Sequence, residues 1–301
     1  MQELMDKLGV NLNVAFYLIF FSLIWVRVSM MATVIPFLFG KPVPKYVVIA
    51  SAFVLAAFAF PNLVPEHPPA LLDDKLALVI LYLKEIFYGL AIGTVIGIVF
   101  HAFTSVGQMI DNQRGMSIAR ILIPQLGSQA SITGALLFQL GIVIYLSYGG
   151  HLVFLDSFFQ SFITLPVLGF PVVGVGMFPL IDLFINVTGE VIYIALQMST
   201  PVIIAIFLTD LILGIANRVA PQINVWQLGF TMKGYIGILL LFVSITMVAE
   251  KMKDYLIQSN RYADEVIELL QGRVPEDAPQ LIETEDGMPK EGPSPPRVHT
   301  K

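Results

Sequence analysis

The 301-residue chain contains no cysteine. That absence excludes disulfides, thiolate metal sites and cysteine nucleophiles, and it leaves the redox compartment unreadable. Charge is scarce as well: 13% of residues are charged, against about 25% in soluble domains, while 56% are hydrophobic. Such a balance indicates an integral membrane protein. The four histidines form neither a His-x-x-x-His pair nor a carboxylate-linked cluster, so spacing assembles no metal site. Gly174-Val175-Gly176 lacks the Gly-Lys-Ser/Thr of a phosphate loop, and neither Gly-x-Ser-x-Gly nor His-Glu-x-x-His occurs. No enzymatic activity and no cofactor are expected. The opening Met1 to Asp6 has no basic region or small-residue cleavage site, so the first apolar run is expected to be retained. A net charge of -5 resides partly in Glu276, Asp277, Glu283, Glu285, Asp286 and Glu291, and no basic stripe suits nucleic acid.

What remains is apolar and helical in pattern. Leu12 to Phe39 gives about 28 residues, enough to span a hydrocarbon core of roughly 30 Å, with Arg27 as its one charge. After a turn holding Lys41 and Lys45, Tyr46 to Phe60 is a shorter run closed by prolines. Leu76 to Phe103 carries Gly89, Gly93 and Gly97 at four-residue spacing, which clears one helix face for the close approach of another backbone. Lys84 and Glu85 share this run and need a protein or aqueous surface rather than lipid. Ile132 to Tyr148 and Ile181 to Phe207 follow, separated by an amphipathic turn and loop from Leu152 to Met177. Glu190 and Pro201 interrupt the second of these runs. A polar connection with Asp210, Asn217, Arg218 and Pro221 leads into Met232 to Ala249, which holds Lys233 at its start. His151, after Gly149-Gly150, reads as a local cap, and Arg218 as a cation at a helix end. Residues 259–301 read as a polar, proline-rich, disordered tail after a helical body of residues 1–258.

The least membrane-like stretch is residues 104–130. A loop of roughly 27 residues exceeds the usual connection several-fold, and loops of that length are functional or disordered. Met109, Ile110, Met116 and Ile118 are too apolar to remain solvated, so the loop is expected to pack. Gly107 and Gly115 permit tight, left-handed turns at its start, and Asp111, Asn112, Gln113 and Arg114 supply its polar contacts or cap the next helix. Orientation by charge also fails. With the Lys41/Lys45 turn in the cytoplasm, alternation sends the carboxy terminus outside, whereas Lys251, Lys253 and Arg261 argue for the inside. Charges sit in or beside most of the apolar runs (Arg27, Lys84, Glu85, Glu190, Asp210, Lys233). A standard six-span bundle does not follow.

Gly107-Gln108-Met109-Ile110-Asp111-Asn112-Gln113-Arg114-Gly115 is followed by Pro124, Ser128-Gln129 and Thr133-Gly134. With Gly149-Gly150-His151, Thr200-Pro201 and Asn217-Arg218-Val219-Ala220-Pro221-Gln222, this order resembles the export-apparatus subunit called SctT in injectisomes and FliR in flagella. The resemblance covers about Phe16 to Lys253, and the Asp-Asn-Gln-Arg-Gly run leans to the injectisome branch. It implies an all-α, membrane-associated bundle of long, bent hydrophobic hairpins, largely lifted above the bacterial inner membrane. It also implies one copy in a closed helical ring with SctR/FliP-like and SctS/FliQ-like small subunits, an SctU/FlhB-like subunit nearby, and unfolded proteins as cargo. The segment from Val106 to Ile123 would plug the channel. A different class stays open: a secondary transporter or ion-coupled carrier using Lys84, Glu85, Glu190 and Asp210 as coupling groups, although no internal repeat supports it.

Overall fold

In the computed structural model, residues 14–39, 43–65, 75–116, 131–171, 176–222 and 224–273 are described. Among them the fold is all-α. In chain order the helices are α1 (Val14–Val34), α2 (Pro36–Phe39), α3 (Lys45–Leu63), α4 (Lys75–Gln113), α5 (Ile132–Ser147), α6 (Gly150–Thr164), α7 (Met177–Val219) and α8 (Val225–Leu270). Five of these, α1, α3, α4, α7 and α8, are long and apolar enough to cross a membrane; α5 and α6 together make a sixth candidate, bent by 74°. Gly149 makes that bend with φ +78, a left-handed conformation that costs glycine nothing.

The organising element is α4. Helices α1, α5, α7 and α8 all pack against it, and its buried residues run from Ala77 to Asp111. The row Gly89, Gly93, Gly97 explains the approach of α1. A Cβ on Gly93 would stand 3.1 Å from the Met31 carbonyl oxygen, one on Gly97 3.2 Å from Val34, and one on Gly89 would overlap the Arg27 carbonyl. Backbones this close gain dispersion contacts along the whole crossing. The cleared face therefore serves this chain's own first helix. Beyond it, Phe37, Phe100, Tyr145 and Phe154 interlock in tilted and edge-to-face contacts with ring centroids 4.7 to 6.3 Å apart, joining α2, α4, α5 and α6.

Three boundaries differ from the sequence reading. The loop expected to begin at Thr104 is helical to Gln113, because Val106, Gly107, Ile110 and Asp111 continue the buried stripe of α4. The turn and loop expected from Leu152 to Met177 contain α6, whose Phe154, Phe158 and Phe162 recur at helical spacing and are buried. Residues 259–270, expected to belong to the tail, are helical. Helix α8 continues to Leu270, burying Ser259, Asn260, Ala263, Val266 and Ile267, and closes on Gly272 with φ +84 while the Arg273 N–H bonds the Glu268 carbonyl. Residues 274–301, like Ile118, Pro124 and Ser128-Gln129, lie outside the described residues.

Helices α7 and α8 form a hairpin of 43 and 46 residues. At 1.5 Å per residue each runs about 65 Å, twice the roughly 30 Å of a hydrocarbon core. Alternating-side bookkeeping assumes one bilayer crossing per helix, so this length removes its premise. Ile185, Ile192, Phe207 and Ile215 on α7, with Trp226, Tyr235, Phe242 and Val243 on α8, leave much of the hairpin apolar and exposed.

Candidate functional site

The end of α4 and the start of α5 form a joint held by close backbone contact and one carboxylate. Gly107 lies against Gly134 so tightly that a Cβ there would overlap the Gly134 backbone, and a Cβ on Gly134 would stand 2.7 Å from the Thr104 carbonyl. Gly107 is thus a close-approach glycine within a helix, not the left-handed turn expected. One turn on, Asp111 is 1% exposed. Its Oδ1 accepts the Thr133 hydroxyl at 2.6 Å, and its Oδ2 accepts the Ser131 hydroxyl and the Thr133 backbone N–H, the latter at 3.2 Å. Ser131 in turn accepts the Gly134 N–H at 2.7 Å as N-cap of α5. A carboxylate at a helix amino terminus meets both unpaired N–H groups and the positive end of the dipole. Asp111 therefore ties two helices together across the connection between them.

Arg114 completes the joint. Its Nη1 donates to Asp111 Oδ1 at 3.2 Å and to the Thr133 hydroxyl at 3.4 Å. Its stem fills the space a side chain on Gly237 of α8 would need, since a Cβ there would stand 2.7 Å from Arg114 Cδ. Gly115 follows with φ +83, the left-handed turn expected for it, and faces Phe230 of α8. Ile110 is buried, Met109 and Met116 are half-buried, and the Ser199 hydroxyl of α7 lies 3.7 Å from Met109 Sδ. Gln108, Asn112 and Gln113 are exposed. The expected plug residues thus divide: Gly107, Met109, Ile110 and Asp111 belong to helix packing, and Gly115 with Met116 leaves the helix.

A second polar cluster lies in the core. Arg27 on α1 donates through Nε and Nη2 to Glu85, the latter at 3.0 Å, and Lys84 Nζ lies 2.9 Å from Glu85 Oε1. Two cations against one carboxylate need further acceptors. Lys84 donates to the carbonyls of Pro166, Val167 and Gly169 at 2.7 to 2.9 Å, and Arg27 to those of Ser161 and Leu165. The Arg27 guanidinium also lies 4.3 Å from the Phe162 ring centroid. This cluster fixes the exit of α6 onto α1 and α4, a contact no sequence spacing announces.

The remaining charges lie along the hairpin. Lys233 pairs with Asp210 at 2.6 Å, with both side chains partly exposed. Glu190 accepts the Tyr262 hydroxyl at 2.7 Å. Arg218 occupies the last turn of α7 and is exposed. His151 does not cap: its Nδ1 is buried with no hydrogen-bond partner among the described residues. Sequence reading missed Ser131 and Thr133 as partners of Asp111, although Ser131 before an apolar run is an N-cap signal.

The family described as bacterial export proteins, family 1, matches residues 18–259. The chain belongs to that family. It is 32% identical over 230 residues to the flagellar biosynthetic protein FliR of Bacillus subtilis, covering 76% of this chain and 86% of that one. To the Yop proteins translocation protein T of Yersinia pestis it is 38% identical over 190 residues, covering 63% and 71%. To the surface presentation of antigens protein SpaR of Salmonella typhimurium it is 26% identical over 223 residues, covering 72% and 81%. The family match contains the α4–α5 joint and the buried charge cluster, and it ends where the last three turns of α8 begin.

Proposed function

We propose that the chain is a structural subunit of a type III protein-export apparatus in the bacterial inner membrane, on the injectisome side of its family. Assembled with SctR/FliP-like and SctS/FliQ-like helical subunits beside an SctU/FlhB-like one, it contributes part of the wall of a channel for unfolded proteins, and the segment from Val106 to Ile123 closes that channel. The observation that supports an assembled wall is the α7–α8 hairpin, twice as long as a bilayer core is thick and apolar on faces the other described residues leave uncovered. Apolar surface beyond the bilayer's reach needs protein to cover it. The carrier reading loses support in the core: Glu85 is taken up by Arg27 and Lys84, and Lys84 also holds three backbone carbonyls, so neither is left as a free coupling group among the described residues.

The test is purification of the membrane complex through a tag on this chain, followed by bilayer conductance. Several small helical subunits should copurify, and deletion of residues 117–123 should leave the complex assembled and raise its ion conductance. A tagged chain that elutes alone and binds a small solute would reverse the assignment. Starting the deletion beyond Gly115 keeps Ile110, Asp111 and Arg114, whose removal would also dismantle the joint.

A further inference from the structure

We infer that the outer face of α3 is a lipid contact: the surface carrying Tyr46, Ile49, Phe53, Val54 and Phe58 meets the acyl chains of one bilayer rather than another subunit. This rests on membrane residence alone and not on the channel. By the standard of a water-facing helix, α3 is built inside out. It turns Ala52, Ala56 and Ala59 towards the protein and its large side chains outwards, with Tyr46 73%, Val54 66% and Phe58 77% exposed. Among the described residues α1 is its main support.

Length and charge choose between lipid and protein. At 1.5 Å per residue the 19 residues of α3 run about 28 Å, one hydrocarbon thickness, whereas α7 and α8 each run about twice that. The α7–α8 hairpin also leaves Asp210 and Lys233 partly exposed. In the layer formed by α1, α3 and the first half of α4, the internal charges Arg27, Lys84 and Glu85 are all buried and paired. Ser51, the one hydroxyl between Tyr46 and Asn62, donates to the Val47 and Val48 carbonyls of its own helix, so it needs no acceptor outside. The exposed cations mark the edges of this layer. Gly89, Gly93 and Gly97 meet Arg27, Met31 and Val34 in the same order, so α1 and α4 run parallel. Trp25 donates to the Ile49 carbonyl and Phe21 packs on Phe53, so α3 runs the opposite way. Lys45 at the start of α3 and Lys75 at the start of α4, both exposed, therefore emerge towards opposite ends of the layer. An uncharged apolar belt with a lysine at either edge suits the two headgroup levels of a bilayer.

The test places a nitroxide on this face. Because the chain has no cysteine, Tyr46→Cys, Val54→Cys, Phe58→Cys and Asn62→Cys give single labelling positions, and the wild-type complex labelled in parallel gives the background from other subunits. Ala50→Cys and Ala57→Cys stand in where one of these does not fold. Each complex is purified through a tag on this chain and reconstituted in phosphatidylethanolamine–phosphatidylglycerol vesicles. Collisions with oxygen should exceed those with a water-soluble nickel chelate severalfold at Val54 and Phe58, and the excess should vanish at Tyr46 and Asn62. The depth profile should place Val54 about 14 Å below the level of Lys45, at 1.5 Å per residue. A Val54 label reached by the nickel chelate would put water on this face. One immobilised and reached by neither probe would put a protein subunit there. Either result overturns the lipid contact, and leaves the assembly reading standing where small subunits still copurify. A chain that elutes alone yet shows the lipid profile overturns the assembly and not this face.

Discussion

Arg27 and Glu85 lie 58 positions apart in the chain and meet as an ion pair with both side chains fully buried. Taking two charges from water is costly, and this pair recovers the cost through bidentate geometry and through carbonyls that would otherwise be unpaired at the end of α6. Glu85→Gln leaves Arg27 and Lys84 as two buried cations without a counter-charge, an effect of about 3–5 kcal/mol or more, and should abolish recovery of folded protein from membranes. Arg27→Met leaves Glu85 paired with Lys84 and should lower that recovery by less. Asp210→Asn, which breaks the partly exposed pair with Lys233, should change stability by less than about 1 kcal/mol. Equal losses in thermal unfolding of Glu85→Gln and Asp210→Asn would contradict this ranking.

The glycines give a second ranking. A Cβ on Gly89 would overlap the Arg27 carbonyl, one on Gly93 would be tight against Met31, and one on Gly189 meets nothing within 4 Å. Gly89→Ala must then push α1 from α4 and strain the Arg27–Glu85 pair beside it. Gly189→Ala should be neutral or stabilising by up to about 1 kcal/mol through helix propensity. The expected order of folded yield in detergent is Gly189→Ala at or above wild type, Gly93→Ala below it, and Gly89→Ala lowest. Since the glycine face covers α1 of the same chain, Gly93→Leu should fail at folding, before any partner is met. Folded but unassembled Gly93→Leu protein would return this face to a partner.

Much of this architecture is legible in the sequence. Apolar runs marked the long helices because a membrane span needs a continuous apolar stretch, and the four-residue glycine spacing marked a close crossing because α-helical faces repeat at that interval. The partner of that face was not legible, since spacing names a face and not what covers it. Amides and glycine around Asp111 read as loop by composition. The override is tertiary: Gly107 on Gly134 and Asp111 on the α5 amino terminus stabilise helix where local propensity is weak. Helix α6 was hidden by its aromatic residues and flanking glycines and prolines, and the end of α8 by charges that lie on its exposed side.

The Tyr145–Asn260 contact tests whether the end of α8 belongs to the core. Tyr145 donates to Asn260 Oδ1 at 2.6 Å, and Asn260 Nδ2 donates to the Gly150 carbonyl at 3.4 Å, linking α5, α6 and α8 at the bend. Asn260→Leu removes an acceptor from a buried hydroxyl and a donor from the bend, with an expected cost of about 1–3 kcal/mol. Tyr145→Phe in the same background should restore part of it, because an absent hydroxyl needs no acceptor. Additive losses in the double variant, measured by thermal unfolding, would mean that the two groups do not act on each other.

The carboxy terminus divides at Gly272. Residues 273–301 follow a glycine-capped helix end, so a stop after Gly272 removes little of what α8 buries and should leave folding, assembly and export intact. A stop after Gln258 removes Ser259, Asn260, Ala263, Val266, Ile267, Leu269 and Leu270, all buried. Leu269 and Leu270 also line a small cavity with Lys84, Tyr88, Gly176 and Leu180, so their loss exposes the charge cluster's flank as well as the start of α7. Burying one large aliphatic side chain is worth about 1.5–3 kcal/mol, and several are lost together against a total stability of about 5–15 kcal/mol. The shorter truncation should accumulate to wild-type level, and the longer one should be degraded. Stable accumulation of the chain ending at Gln258 would show that the last turns of α8 are dispensable, and failure of the chain ending at Gly272 would show that the segment beyond it carries a contact of its own.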